Sequence, residues 1–262
     1  MTLQDSVDAW HESATRVVAL LRTLPPDAWA KPTDCPHWTV HDVAAHLAAI
    51  ESELATDGAT PDSAIDTVSD AFTQQGVDAR AQLPPGELIF ELETSIATRS
   101  DQLTDLAVDP DAIPERTPGG IAWSWSRLLS NRALDMWIHE QDIREATDVP
   151  GGADGKAAAH TVAAFRTSLP YVLGKRVAPP SGTCVRWTVT GHGGFDVTAH
   201  VGTDGRAREG GAATDPDAQI VLSQRAFTRL SAGRRPWDEL DITVDGDEAL
   251  AHDVLAQMSV IG

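Results

Sequence analysis

With 262 residues, a hydrophobic fraction of 42% and eight tryptophans, the chain is long enough for two ordinary domains and apolar enough to give each a core, which excludes global disorder. A formal net charge of −19 argues against nucleic acid and acidic membrane surfaces, both of which are gripped through Lys and Arg, and in favour of small-molecule or protein partners. The two cysteines, Cys35 and Cys184, lack the close, even spacing of a disulfide framework and are expected as free, buried thiols in a reducing cytoplasm.

No apolar run approaches the roughly 20 residues that span a bilayer, and the N-terminal stretch is acidic and amphipathic, unlike a signal peptide. In chain order, periodicity and Pro/Gly punctuation predict helices over 3–23, 39–56, 63–81, 86–106, 121–147 and 154–170. Four of these are long enough to form a bundle. Thr39 and Asp42 stand at capping-box spacing, so the second helix is expected to begin near Val40, with Val43, His46, Leu47 and Ile50 on its apolar face.

Past "VAPPSGT" the pattern changes. "TCVRWTVT" and "GFDVTAHV" alternate apolar with polar residues around "GHG" and predict a hairpin, with His192 and His200 exposed on it. Strand-like "AQIVLS" leads into a helix from Gln224, then a short strand in "LDITVDGD" and a helix from Glu248. The glycine-rich "GHGGFD" and "EGGAATD" do not join a strand to a helix and are expected as turns. The fold class is therefore α+β: a helical domain, 1–175, followed by a small α+β domain, 176–262, with the boundary near 172–182.

The stretch "NRALDMWIHEQDIR" carries the chemistry. At about 100° per residue, Leu128, Asn131, Arg132, Asp135, His139, Asp142 and Ala146 share one inward stripe. Ala133, Glu140, Gln141 and Arg144 fall opposite and suit solvent, with Trp137 beside them, partly exposed or packed on the second domain. A buried carboxylate and imidazole need a partner. Asp135 and His139, one helical turn apart, suit two ligands of one ion, or equally a carboxylate–histidine hydrogen bond or an ion pair with Arg132. His46 supplies a second inward imidazole from another helix, and bundle interiors are where facing helices assemble metal sites. Asp42 and Asp142, each one turn from a histidine, could accept the free imidazole N–H or be plain surface acids. Trp123, Trp125 and Trp137 suit either a pocket wall or core packing.

"CPHWTVHDVAAHLAAIE" together with "RALDMWIHEQDIREATDVP" resembles the mycothiol-dependent maleylpyruvate isomerase family of actinobacteria, and the stretch from "AQIVLS" to "AHDVLAQM" resembles that family's smaller domain. The resemblance implies a DinB-like four-helix metal-binding bundle followed by a sterol-carrier-like α+β domain. It implies metal ligation by His46, Asp135 and His139, with Asp135 standing where the family carries glutamate, one methylene longer. His37 occupies the glycine of the family's "CPGW". Mycothiol is implied as cosubstrate, its thiolate adding to the double bond of a small maleylpyruvate-like electrophile, allowing rotation and leaving, or transferring to another electrophile.

Arg234 is the expected carboxylate-binding residue, with Arg132 and Arg235 as alternatives, and Asp142 is expected to orient His139. Zinc suits the mixed donor set best, while nickel, cobalt and iron also fit. The readings that compete with a thiol-dependent isomerase or S-transferase are a non-catalytic module holding an apolar ligand and a metal-assisted hydrolase that uses no thiol. The sequence leaves the oligomeric state open, a monomer included.

Overall fold

In a computed structural model the described residues are 2–210 and 215–261. They divide into two compact units, Met1–Gly152 and Ala153–Gly262.

The first unit is built on α1 (Leu3–Thr23), α2 (Val40–Ser52), α4 (Pro85–Leu103) and α5 (Trp125–Thr147). α1 packs on α5 and α4, and α2 packs on the same two helices, which closes a four-helix ring; the short α3 (Asp70–Asp78) lies against α2. Both α1 and α2 start with reciprocal capping boxes, Thr2 with Asp5 and Thr39 with Asp42, which satisfy otherwise orphaned N–H groups. Ala9, Trp10, Ala14, Val17, Val18 and Leu21 recur at helical spacing and bury one face of α1.

Several helices are shorter than their patterns suggest. Ser69 caps α3, so residues 63–69 form a loop whose Ile65 and Val68 pack against Ile121, Trp123 and Leu128. α2 passes at Glu53 into a π-helical turn, Glu53–Asp57, and α5 begins only at Trp125, after a 3-10 turn at Pro118–Gly120.

The second unit is α+β. β1 (Cys184–Thr190), β2 (Phe195–Val201), β3 (Ala207–Glu209), β4 (Ala218–Ser223) and β5 (Ile242–Gly246) form one sheet in the order β3-β2-β1-β4-β5. β1 and β4 run parallel, and the other pairs are antiparallel. Trp187 sits mid-sheet opposite Val197 and Ile220, and all three are buried. α8 (Gln224–Ser231), capped by Ser223, packs on β4 and β1, and α9 (Glu248–Ala256) packs on β4 and β5. Within "EGGAATD", residues 211–214 lie outside the described residues.

The units part at Gly152–Ala153, well before the 172–182 expected from pattern. The reason is packing: α6 (Gly155–Arg166) lies on α8, with the Phe165 ring edge-on to Phe227 at 6.4 Å. Beyond it, Pro170 helps break the helix into a single turn, α7 (Leu169–Tyr171), and a π-helical turn, Val172–Val177. The change of periodicity near residue 178 marks the passage from helix to strand, not from one packed unit to the next. No helix among the described residues is long and apolar enough to cross a membrane.

Candidate metal centre

The inward stripe of α5 faces α2. His46 Nε2 lies 3.2 Å from Asp135 Oδ2, and His139 Nε2 lies 3.7 Å from Asp135 Oδ1. The two imidazole centroids are 4.8 Å apart. One donor atom from each of His46, Asp135 and His139 falls within 4.8 Å of the other two. Both imidazoles are buried, and Asp135 keeps part of its surface open.

Two of the three, His139 and Asp135, are held from behind. Asp142, itself buried, accepts from His139 Nδ1 at 3.0 Å, which leaves the Nε2 lone pair directed at Asp135. Arg132 Nη2 donates to Asp135 Oδ2 at 2.8 Å, and Arg132 Nε donates to Glu51 Oε1 at 3.3 Å. Glu51, fully buried, also accepts from Trp10 Nε1 at 3.2 Å and has Arg99 Nε 4.0 Å away. Each of the charges in this network, Arg99, Glu51, Arg132 and Asp135, therefore meets an opposite one, the condition under which charges are tolerated in a core.

The electrostatics follow. Burial pushes the His46 imidazole below its usual value, although the Asp135 carboxylate opposes this. Burial alone would raise Asp135, but the Arg132 guanidinium, aided by His46 and His139, holds it well below the usual carboxylate range. Burial thus favours the neutral His46 imidazole beside an ionised Asp135, the states in which those two groups can serve a divalent cation.

A loop completes it. Residues 31–39 fold back on themselves, Val40 N donating to Lys31 O and Thr33 N to Trp38 O. This lays the Trp38 ring against both imidazoles, at 5.0 Å from His46 and 5.9 Å from His139. His37 adopts φ 69°, a left-handed conformation that glycine takes without strain. Trp38 and Glu51 were not legible as site residues. Trp38 precedes the helix, where periodicity says nothing, and Glu51 reads as an ordinary acid at a helix end. Cys35, expected buried, is half-buried at the tip of the same loop, and neither cysteine forms a disulfide.

Several expectations need correction. Glu140 does not face solvent. It is fully buried and accepts from Ser13 Oγ at 2.8 Å, Arg16 Nε at 3.1 Å and Arg144 Nε at 3.0 Å, because α1 covers that face of α5. Ala133 is buried for the same reason, and Trp137 is buried with its indole N–H on Gly152 O at 2.7 Å. Asp42 is engaged by Thr39 in the α2 cap. Trp123 is core, donating to Asp66 O at 2.7 Å. In the second unit, Arg234 Nη1 donates to Ala232 O at 3.1 Å, and exposed Arg235 pairs with Glu239 at 3.0 Å. His192 is exposed and bonds Gly155 O at 3.0 Å, whereas His200 is half-buried, 3.9 Å from Cys184 Sγ.

A closed four-helix bundle with a histidine–aspartate–histidine cluster between two of its helices, followed by an α+β unit, defines the class of protein. The model of the mycothiol maleylpyruvate isomerase N-terminal domain matches residues 10–144, and that of the MDMPI C-terminal domain matches residues 159–252. The chain belongs to the mycothiol maleylpyruvate isomerase family. Uncharacterized proteins from two strains of Mycobacterium tuberculosis are each 26% identical over 251 residues, covering 91% of this chain and 89% of their own. The crystal structure of mycothiol-dependent maleylpyruvate isomerase is similar in fold, with a TM-score of 0.54, 16% identity and 93% of each chain covered. A histidine-to-alanine mutant of that enzyme gives 0.55 at 17% identity and the same coverage.

Proposed function

We propose that this chain is a metal- and mycothiol-dependent enzyme, an isomerase or S-transferase acting on a small electrophile of the maleylpyruvate kind, with His46, Asp135 and His139 holding a divalent ion, zinc by preference. One observation carries the reading: two imidazoles and a carboxylate from separate helices converge to within 4.8 Å. The donor set fits. Two histidines and an acid are a catalytic zinc complement that leaves a position open.

When bound, the ion supplies Lewis acidity and lowers the pKa of a thiol beside it. The chain's own residues do the rest. Asp142 fixes the His139 tautomer, Arg132 clamps Asp135 in its ionised form, and Trp38 shields both imidazoles from water. Membership of the family supports mycothiol as the thiol.

The test is metal analysis of the purified protein beside turnover of maleylpyruvate with and without mycothiol. About one divalent ion per chain is expected, lost in both His46→Ala and His139→Ala, with turnover only when the thiol is present. Unchanged metal content in both variants would overturn the reading.

A further inference from the structure

Behind His139 lies a second group of donors. Cys35 Sγ, one ring nitrogen of His139 and one carboxylate oxygen of Asp142 all fall within 4.8 Å of one another. His139 and Asp142 are buried, and Cys35 is half-buried. We infer that Cys35, His139 and Asp142 form a second station for a soft divalent cation, adjoining the first and sharing His139 with it.

The loop is shaped to deliver the sulfur. Cys35 N donates to Thr33 Oγ1 at 3.2 Å, Trp38 N donates to Cys35 O at 3.1 Å, and the turn between them passes through the left-handed His37. These backbone bonds hold Cys35 in the turn, and its sulfur reaches His139 and Asp142. His139 Nδ1 and Asp142 Oδ2 are 3.0 Å apart, a few tenths of an ångström short of the separation of about 3.3–3.6 Å between neighbouring ligands on a tetrahedral zinc with bonds of about 2.0–2.2 Å.

The two stations differ in chemistry. The first offers two imidazoles and a carboxylate. The second replaces one imidazole with a thiolate, the ligand that soft cations prefer. Occupation releases the Cys35 thiol proton to solvent and shifts the His139 ring proton from Nδ1, where Asp142 accepts it, to Nε2, so that one N–H bond is exchanged for another and only the thiol proton is lost. A neutral imidazole has one lone pair, so His139 serves one ion at a time and the stations are alternatives. Cations of the zinc and cobalt kind sit in the first, whereas cadmium is drawn to the sulfur.

The probe is cadmium, added to the metal-free full-length chain and followed by the ultraviolet thiolate-to-cadmium charge-transfer band. The wild type and His46→Ala should both develop the band, saturating near one ion per chain. Cys35→Ser should abolish it and weaken cadmium binding at least tenfold, while Cys184→Ser should leave it unchanged. Circular dichroism and thermal melts of the metal-free variants establish that each is folded, and Cys35→Ala serves if Cys35→Ser is not. No band in the wild type, or a band that survives in Cys35→Ser, overturns the inference. Failure here is separable from failure of the proposed function, which rests on the ion lost in His46→Ala whatever the band does.

Discussion

Arg132 and Asp135, one turn apart on α5, form a 2.8 Å ion pair that decides how the acid is presented: Oδ2 meets the guanidinium and His46, and Oδ1 is turned toward His139. The same arginine is tied to Glu51 on α2, so the acid's orientation is anchored across the helix interface.

Replacing Arg132 with methionine therefore does two things. Buried Glu51 loses its main counter-charge, and removing one partner of a buried pair costs about 3–5 kcal/mol. Asp135 loses its clamp, and zinc affinity should fall about 10–100-fold, as for other groups that support a ligand from behind. Urea denaturation of the metal-free protein and chelator competition measure the two effects separately. A variant as stable as the wild type would show that Glu51 is neutralised by other means.

Asp142→Asn tests the tautomer argument. An amide can donate to His139 Nδ1 and so favour the wrong tautomer, with the proton on the nitrogen that faces Asp135. Zinc affinity should fall about 10–100-fold with little loss of secondary structure by circular dichroism. Unaltered affinity would mean that Asp142 does not set the imidazole's state.

The pH dependence has a definite sign. Burial holds the His46 pKa below its ordinary value, and the ion pair with Arg132 holds Asp135 below its own. Both groups bind more protons unfolded than folded, so their contribution to stability is present above their unfolded pKa values and is lost as pH falls through the folded ones. Metal retention follows the same direction. It should be flat above about pH 7, where free imidazole is already neutral, and should decline on acidification below the ordinary histidine value of about 6.5. Metal content after dialysis at stepped pH would reveal it. Retention that increases toward low pH would contradict a histidine-ligated ion.

Gly152 closes the other face of α5. It adopts φ 68°, and a Cβ there would stand 2.2 Å from Glu140 Oε1, which Ser13, Arg16 and Arg144 hold in place. Gly152→Ala combines backbone strain with that clash and should destabilise the first unit by about 1–3 kcal/mol. Its thermal midpoint should fall while zinc affinity is unaffected.

His37→Gly is the opposite case. Removing a side chain from a left-handed position relieves about 1 kcal/mol of strain and should raise the thermal midpoint slightly.

How much of this was legible in the sequence depended on which physical signal each residue carries. The stripe of Arg132, Asp135, His139 and Asp142 could be read because helical periodicity is local, and His46 because Thr39 and Asp42 fixed where α2 starts. Glu140 and Ala133 were misplaced because a helix covered on two sides gives its second buried face no apolar label: the polar Glu140 there is neutralised by Arg16 of α1, 124 residues away. The unit boundary was misjudged for a similar reason. Periodicity reports secondary structure, whereas Phe165 packing on Phe227 is a tertiary fact. Trp38 and Cys35 lie in a loop whose shape depends on Val40 bonding Lys31, and no pattern announces that.

The two halves of the cluster stand 89 residues apart in the chain, one on the second helix and the other on the last helix of the ring. During synthesis His46 emerges early and has no acid to face until Trp125–Thr147 has left the ribosome. A nascent chain that stops short of that point can fold segments of helix but cannot capture an ion between them. On the proposed function, loading with metal would mark the moment the ring has closed, and an ion bound there would reward only finished copies of the bundle.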